Sequence, residues 1–221
     1  MKKTVNKEIG ILMKPDMSLA TLEDRKTHTR RVIKDVGLYA IDERYHGNWQ
    51  KERENLIAAK CPYGKVGDRL YVRETHYRYG KWIKDGQTKT GRQKWKFEGI
   101  GKEVIYSDNS PATVRTKKTE VGWFKRPSLF MPRWASRITL EITDVRVERV
   151  QEISKDDAML EGIKNKNTGY WQDYRTGKMQ QLFLSDPRDS FRTLWNSINE
   201  KRGYGWDVNP WVWVIGFRRL G

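Results

Sequence analysis

The chain is poor in cysteine and histidine, and this limits the sites that it can build. Cys61 is the one cysteine, which excludes an internal disulfide and any zinc site made of several thiolates. The three histidines are His28, His46 and His76, and their spacing does not match a set of metal ligands. The sequence therefore predicts neither a metal site nor a cofactor.

Long apolar runs are also missing. No segment approaches the ~18 consecutive apolar residues of a membrane span, and the first residues, MKKTVNKE, lack the apolar core of a signal peptide. Neither an internal repeat nor a low-complexity tract occurs. We therefore expect a cytoplasmic protein, of a bacterial cell or of a phage-infected cell, without a membrane partner.

Positive charge, by contrast, is abundant. The 44 Lys and Arg outnumber the 28 Asp and Glu, which gives a formal net charge of +16. A hydrophobic fraction of 37%, with 10 Trp, 10 Tyr and 6 Phe, is enough for a folded core and argues against a wholly disordered chain. The charge favours nucleic acid, RNA or DNA, or modified nucleotides as partners, and a merely solubilising surface is the alternative.

The spacing of apolar and turn-forming residues predicts a mixed α+β chain rather than a doubly wound parallel sheet. For the first third we expect a strand at 9–13, a short helix capped by Asp16 or Ser18, a helix within 42–60, the Gly64–Asp68 turn, and a strand in which Leu70 and Val72 enter the core.

The last third shows clearer patterns. The alternation at 137–149 changes parity after Ile142, which predicts a bulge or strand break near Thr143-Asp144. Two helices follow: a short one capped by Ser154 and ended by Gly162, and an amphipathic one capped by Asp186. Residues 210–219 are apolar on both faces, so we predict a central strand there.

Two segments lie outside this frame and are interpreted as insertions into a single domain of residues 1–221. Residues 75–137 contain 15 Lys and Arg against 5 Asp and Glu, together with ten aromatic residues, and residues 164–185 resemble a polar loop or hairpin. Cations interleaved with rings can bind phosphates while bases stack. The predicted nucleic-acid contacts in this region are Lys94, Trp95, Lys96, Lys125, Arg126, Arg133, Trp134 and Arg137. The alternative is that most of the rings pack the insertion onto the rest of the protein.

A second basic segment, KTHTRR at 26–31, is compact enough to bind a phosphate through its Arg, Lys and Thr side chains. We include Arg30, Arg31 and the more distant Arg73 among the predicted nucleic-acid contacts. The alternative for KTHTRR is a solvated basic turn. Glu74 is interpreted as an ion-pair partner of Arg73 or Arg31, or as a residue that reaches a nucleic-acid-binding cleft.

Four motifs in order, KTHTRR, GDRLYVRE, SKDDAMLEG and NPWVWVIGF, resemble the ASCH domain family, and in particular its phage and prophage members. The resemblance covers about half of the chain, at 9–35, 61–75, 133–163 and 187–219. It implies membership of the PUA-like superfamily, with a pseudo-β-barrel of mixed strands, flanking helices, and a cleft for RNA, DNA or modified nucleosides.

The resemblance also implies candidate catalytic residues. Some ASCH proteins are amidohydrolases that deacetylate N4-acetylcytidine with a Lys, a Thr and a Glu, and the matching positions here are Lys26, Thr29 and Glu161. In that reaction Thr29 or a water attacks the carbonyl, Lys26 acts as base or oxyanion partner, and Glu161 moves the proton to the leaving nitrogen. A helix end raises the pKa of Glu161 and a nearby Lys26 lowers it, so the net direction stays open.

The sequence departs from the amidohydrolases in two places: the insertion at 75–137, and Arg30, which stands where those enzymes have an apolar residue. A second cation suits a phosphate-bearing substrate better than a free nucleoside. Three functions therefore stay open: amide hydrolysis on a modified base or processing of RNA, a non-catalytic DNA- or RNA-binding module of a phage or prophage, and a metal-dependent ribonuclease that uses Glu74 or Glu161.

Overall fold

A computed structural model describes residues 7–34, 48–166, 169–175 and 184–221. The described residues form two compact units. The first contains the described parts of Met1–Ile9, Ala20–Leu70 and Thr139–Gly221, and the second consists of Gly10–Leu19 and Tyr71–Ile138. The prediction of a single domain with two insertions stays a prediction.

The described helices and strands alternate along the chain. The first half contains β1 (Glu8–Leu12), α1 (Pro15–Leu22), β2 (His28–Val32), α2 (Asn48–Ala58), β3 (Arg69–Arg73), β4 (His76–Gln87) and β5 (Gln93–Tyr106). The second half contains β6 (Gly122–Arg126), β7 (Thr139–Arg149), α3 (Lys155–Leu160), α4 (Pro187–Asn199) and β8 (Trp211–Leu220). The α+β class is confirmed.

The larger sheet has five strands in the order β1-β3-β7-β8-β2. β8 pairs antiparallel with β7 on one side and with β2 on the other, and Trp211–Phe217 is buried throughout. The predicted central strand is therefore confirmed, and its apolar character on both faces follows from burial on both faces. β2 is an edge strand of this sheet, with the end of KTHTRR in it.

A bulge in β7 decides which side chains face the core. The register against β8 shifts between Ile142 and Asp144, which confirms the predicted irregularity. Because Thr143 is the extra residue, Ile142 and Val145 stay on the same face, opposite Phe217 and Ile215. The charged side chains of Asp144, Arg146 and Glu148 consequently share the other face.

The helix caps agree with the predictions at two of three positions. The Ser154 hydroxyl accepts a hydrogen bond from the Asp157 backbone N–H at 3.0 Å, and the Asp186 carboxylate accepts one from the Arg188 N–H at 2.8 Å. The caps predicted for α1 are wrong, because the helix begins at Pro15 and contains Asp16 and Ser18 in its first turns. The predicted helix within 42–60 is present as α2, and residues 42–47 lie outside the described part.

The second unit contains a three-stranded antiparallel sheet in the order β5-β4-β6, formed by the basic segment 75–137. β4 pairs with β6 over His76–Gly80, whereas its pairing with β5 continues to Gln87. Within the described residues the outer part of the β4–β5 hairpin is therefore a two-stranded arm.

The segment predicted as a polar loop or hairpin, 164–185, contributes isolated β-bridges of Trp171 with Asn165 and with Leu184. Residues 167–168 and 176–183 lie outside the described part. Neither sheet closes into a barrel within the described ranges. None of the described helices has the length and apolar character needed to cross a bilayer.

Candidate functional site

Lys26 and Glu161 form a buried pair in the first unit. Lys26 precedes β2 and makes an isolated antiparallel bridge with Glu161, which caps the C-terminus of α3. Gly162 permits this approach: its φ is +85°, and a Cβ there would lie 2.7 Å from the Cβ of Lys26. The Lys26 Nζ donates to Glu161 Oε2 at 2.7 Å, to Glu161 O at 2.8 Å and to His28 O at 2.7 Å. Protein acceptors thus take all three ammonium hydrogens.

Both side chains of this pair are almost inaccessible to solvent, each residue being 4% exposed. The alternative of a solvated basic turn is therefore wrong for Lys26, and Glu161 is not a solvated carboxylate at a helix end. Removing Glu161 would leave the buried Lys26 ammonium without a carboxylate, and removing Lys26 would leave the buried Glu161 carboxylate with Arg30 alone.

Arg30 extends the pair into a larger network. Its guanidinium donates to Glu148 Oε1 from Nε at 2.8 Å and from Nη2 at 2.6 Å, to Asp157 Oδ2 at 2.8 Å, and to Glu161 Oε1 at 3.1 Å. Arg146 also pairs with Asp157 and with Glu148. We call this network the ionic cluster; its members are Lys26, Arg30, Asp144, Arg146, Glu148, Asp157 and Glu161.

The prediction of Arg30 as a phosphate contact disagrees with this position. The side chain is 0% exposed and hydrogen-bonds to three carboxylates, so its charge is already compensated within the protein. The ionic cluster contains four carboxylates and three cations, which leaves no positive excess for a polyanion. We therefore do not include Arg30 among the residues of a nucleic-acid interface.

Electrostatics in the cluster answer the question that the sequence left open for Glu161. Burial alone would raise the pKa of Glu161, but the charges of Lys26 and Arg30 and their hydrogen bonds lower it below its ordinary value. Burial lowers the pKa of Lys26, and the Glu161 charge opposes that change. Glu161 is thus an ionised carboxylate, and Lys26 is a stronger acid than an ordinary lysine.

Thr29, the third candidate catalytic residue, is buried but has different neighbours. Alternation along β2 places Thr29 and Arg31 on one face and His28 and Arg30 on the other. Thr29 makes no hydrogen bond to Lys26 or Glu161 in the part of the chain that the structure describes. The Arg31 guanidinium lies 5.9 Å from the centre of the Tyr63 ring. The structure thus brings Lys26, Arg30 and Glu161 into contact, without Thr29.

The second unit has a surface of a different kind, where cations lie against aromatic rings. The Arg126 guanidinium is 4.8 Å from the Trp82 ring centre and 4.5 Å from that of Phe97. Arg78 lies 4.9 Å from the Trp134 ring centre. Cross-strand pairing of Trp82 with Phe97, and of Arg78 with Phe124, puts these side chains on one face of the sheet.

Lys118 completes this surface, with its Nζ 5.4 Å from the Trp82 ring centre and 5.3 Å from that of Trp95. We call the surface the basic–aromatic face; its members are Arg78, Trp82, Trp95, Phe97, Lys118, Phe124, Arg126, Phe130 and Trp134. Trp82, Phe97 and Phe124 pack edge to face, with centroids 5.4 to 6.2 Å apart. The alternative that rings serve packing therefore holds for these three.

The cations of the basic–aromatic face are electrostatically uncompensated. Among the described residues, no carboxylate forms an ion pair with Arg78, Lys118 or Arg126. Burial, together with the charge of Arg78, lowers the pKa of Arg126. Lys81 on the same sheet differs, because its Nζ lies 3.3 Å from Glu98 Oε2.

The other predicted nucleic-acid contacts are distributed around the second unit. Lys94, Lys96 and Lys125 are exposed, and Arg133 lies 5.2 Å from the centre of the Tyr71 ring. Arg73 donates to the backbone O of Leu129. Trp95, Arg126 and Trp134 belong to the basic–aromatic face. Sequence reasoning missed Arg78, Lys118 and Phe130, although the alternation His76-Arg78-Gly80-Trp82 was a usable signal for Arg78.

Glu74 and Arg137 form a second buried ion pair, which corrects two predictions. Glu74 accepts from Arg137 Nε at 3.0 Å and from Nη2 at 3.1 Å, and does not pair with Arg73 or Arg31. Arg137 also binds Asp108 at 2.9 Å and lies 3.9 Å from the centre of the Tyr106 ring. Arg137 is thus compensated by two carboxylates, and we do not carry it into a nucleic-acid interface.

His76 lies fully buried next to this pair. Its Nδ1 is 3.1 Å from the Glu74 carbonyl O; because a carbonyl only accepts, Nδ1 carries the hydrogen. The Nε2 has no hydrogen-bond partner within the described residues. Burial lowers the pKa of His76 from its ordinary value of 6.5, and the charges of Arg126 and Arg78 add to the change.

The buried imidazole of His76 is expected to make the protein less stable in mild acid. The pKa of His76 is lower in the folded state than in the unfolded state, so its contribution is complete above pH 6.5 and is lost as the pH falls from there towards the folded-state pKa. Burial lowers the pKa of His28 as well. We expect the free energy of unfolding, from urea titrations between about pH 5 and 7.5, to fall with acid by at most about 1.4 kcal/mol per pH unit for each histidine.

His76→Gln should flatten this pH profile, because glutamine does not titrate. The carboxylates with lowered pKa values, such as Asp186 at about 2, lose their contribution at lower pH and do not interfere. An unchanged slope in the variant would show that His76 is not responsible.

No group of three or more His, Cys, Asp or Glu side chains in the described ranges is arranged to hold a metal ion. Comparisons of the chain with family models, with curated proteins and with solved structures find no significant match. The ASCH resemblance therefore depends on the quoted motifs alone.

Proposed function

We propose that the chain is a nucleic-acid-binding protein of the ASCH, PUA-like type, which holds RNA or DNA on the basic–aromatic face. The observation that carries the proposal is a group of three cations, Arg78, Lys118 and Arg126, that lie against aromatic rings and have no carboxylate partner among the described residues. Such cations are not needed for charge compensation inside the protein. They are suited to phosphates, with release of counterions as the driving force.

The ionic cluster makes a poorer site for a polyanion. Its cations are paired with carboxylates, and Lys26 and Arg30 are buried, whereas the segment 75–137 of the second unit contains 15 Lys and Arg against 5 Asp and Glu. A non-catalytic module of a phage or prophage would need only the basic–aromatic face. This face is therefore where we place the nucleic acid.

The family part of the proposal rests on where the motifs lie. KTHTRR leads into β2, GDRLYVRE runs through β3, SKDDAMLEG forms α3 with its cap, and NPWVWVIGF forms β8. All three strands, β2, β3 and β8, belong to the larger sheet, as a PUA-like pseudo-barrel would require. The smaller sheet is then an addition that supplies the nucleic-acid surface.

Salt dependence tests the binding proposal. We expect the protein to bind a fluorescently labelled oligonucleotide, with log Kd rising linearly against log salt concentration in an anisotropy titration. Lys118→Gln and Arg126→Gln should each weaken binding and reduce the slope by about 1, since each removes one phosphate contact.

Lys81→Gln is the matched control. It removes the same charge from the same sheet, but Lys81 is paired with Glu98 and strand alternation puts it on the opposite face from Trp82. Its slope should equal that of the unmodified protein. Absence of binding, a flat salt response, or an equal effect of Lys81→Gln would each contradict the proposal.

A second candidate function is hydrolysis of an amide on a modified base such as N4-acetylcytidine. The 2.7 Å contact between Lys26 Nζ and Glu161 Oε2, in a buried setting, favours it. The oxygen of a water would bond to the carbonyl carbon, and its proton would pass through the Lys26–Glu161 pair to the leaving nitrogen as the C–N bond breaks and acetate is released. Turnover of N4-acetylcytidine by the purified protein is the test.

A further inference from the structure

Phe130 and Trp134 are the exposed rings of the basic–aromatic face. They lie in two short 3-10 turns, Ser128–Phe130 and Arg133–Ala135, and are 57% and 49% exposed. Each ring lies against a cation: Phe130 has Arg126 at 5.0 Å, and Trp134 has Arg78 at 4.9 Å. Two large rings thus face solvent, each with a positive charge beside it.

These rings are held in place rather than loosely attached. Pro127 and Pro132 precede the two turns and restrict the backbone, while Met131 and Ala135 are buried at 2% and 3% exposure. The segment is thus anchored between its exposed rings. Little conformational entropy would be lost when a ligand stacks on them.

The geometry points to single-stranded nucleic acid as the ligand of this face, with unpaired bases stacked on Phe130 and Trp134 and phosphates at Arg126 and Arg78. This inference rests on the proposed function and narrows it to one class of nucleic acid. An aromatic side chain needs the flat face of a base, which in a duplex is covered by the neighbouring base pairs.

Arg126 suits phosphate binding because of where its guanidinium lies. Its guanidinium carbon lies 4.5, 4.8 and 5.0 Å from the ring centres of Phe97, Trp82 and Phe130, and the guanidinium makes no hydrogen bond within the described residues. Within the described residues the N–H groups of this guanidinium are therefore available to donate hydrogen bonds to a phosphate. A stacked base and its own phosphate could then be held by adjacent side chains.

Duplex nucleic acid would be expected to bind a different part of the second unit. A two-stranded ribbon can enter a groove, and the outer part of the β4–β5 hairpin, with exposed Lys84 and Lys94, has that form. The two rings most exposed to solvent, Phe130 and Trp134, however, lie outside this arm, and each has an arginine beside it. The arrangement therefore favours unpaired strands.

The test compares strands and ring variants at one fixed salt concentration. The probes are labelled oligo-dT and oligo-U of about 12 nucleotides, within the range of single-strand sites, and a blunt mixed-sequence duplex of the same length. We expect the single strands to bind at least about tenfold more tightly than the duplex. Phe130→Leu and Trp134→Leu should each weaken single-strand binding by about 5- to 140-fold, the value of one stacked base.

Leu129→Ala is the control, because Leu129 is 57% exposed on the same turn and has no ring. It should change the affinity less than about twofold, as removing an apolar surface side chain leaves stacking intact. Since all three side chains are exposed, the variants should fold normally, which circular dichroism can check.

The outcomes separate this inference from the proposed function. If the duplex binds as tightly as the single strands, or more tightly, and the ring variants have no effect while Lys118→Gln still weakens binding, the single-strand inference is wrong and the proposed function stands. If neither probe type binds, the proposed function itself is wrong.

Discussion

Lys26→Met is expected to lower the free energy of unfolding by about 3–5 kcal/mol, the cost of breaking a buried ion pair from one side. Methionine keeps the length of the side chain but removes the ammonium that donates to Glu161 Oε2 and to two backbone carbonyls. Glu161 would then be a buried carboxylate held by Arg30 alone. Chemical denaturation followed by tryptophan fluorescence measures the change.

Arg218→Met provides the comparison with an exposed ion pair. Arg218 Nη2 lies 3.0 Å from Glu141 Oε2, but their side chains are 66% and 28% exposed. Solvent screens such a pair, so the loss should stay below about 1 kcal/mol. Equal losses for the two variants would show that burial of the Lys26–Glu161 pair is not energetically important.

Glu161→Gln is expected to reduce the turnover of N4-acetylcytidine by about 10²- to 10⁴-fold, if the chain hydrolyses this amide. Glutamine cannot relay a proton between Lys26 and the leaving nitrogen. Turnover is measured by release of cytidine, at a temperature at which circular dichroism shows the variant to be folded.

Glu148→Gln is the matched control for this reaction. It also removes one carboxylate from the ionic cluster and one acceptor from Arg30, but Glu148 does not contact Lys26. We expect it to retain turnover within several-fold. A similar loss in both variants would indicate that the cluster merely needs to be intact, and no turnover by the unmodified protein would end the second candidate function.

Much of the fold was predictable because the signals are local. The bulge after Ile142 appears as a parity change within a few residues, and the caps at Ser154 and Asp186 depend on side chains adjacent to their helices. The central position of β8 follows from its apolar character on both faces. The cap of α1 was predicted wrongly, because several polar residues near Pro15 could each have served as the cap.

The candidate site was predictable only in part. The proximity of Lys26 and Glu161, 135 residues apart, came from a family resemblance and not from the pattern of residues. The predicted partner of Glu74 was wrong. Its actual partner, Arg137, lies 63 residues away along the chain, and only folding brings the two side chains together. Arg30 was expected at a phosphate and lies instead among carboxylates.

The sequence by itself determined the α+β class, the bulge, the two confirmed helix caps and the accumulation of positive charge in the segment 75–137. Only the tertiary structure decided which positive charges are neutralised, as at Arg30 and Arg137, and which have no ion-pair partner in the described ranges and lie beside aromatic rings, as at Arg78 and Arg126. The physical reason is that secondary structure follows from neighbours along the chain. Charge compensation depends instead on strand register and on contacts between distant residues, because Coulomb interactions act through space.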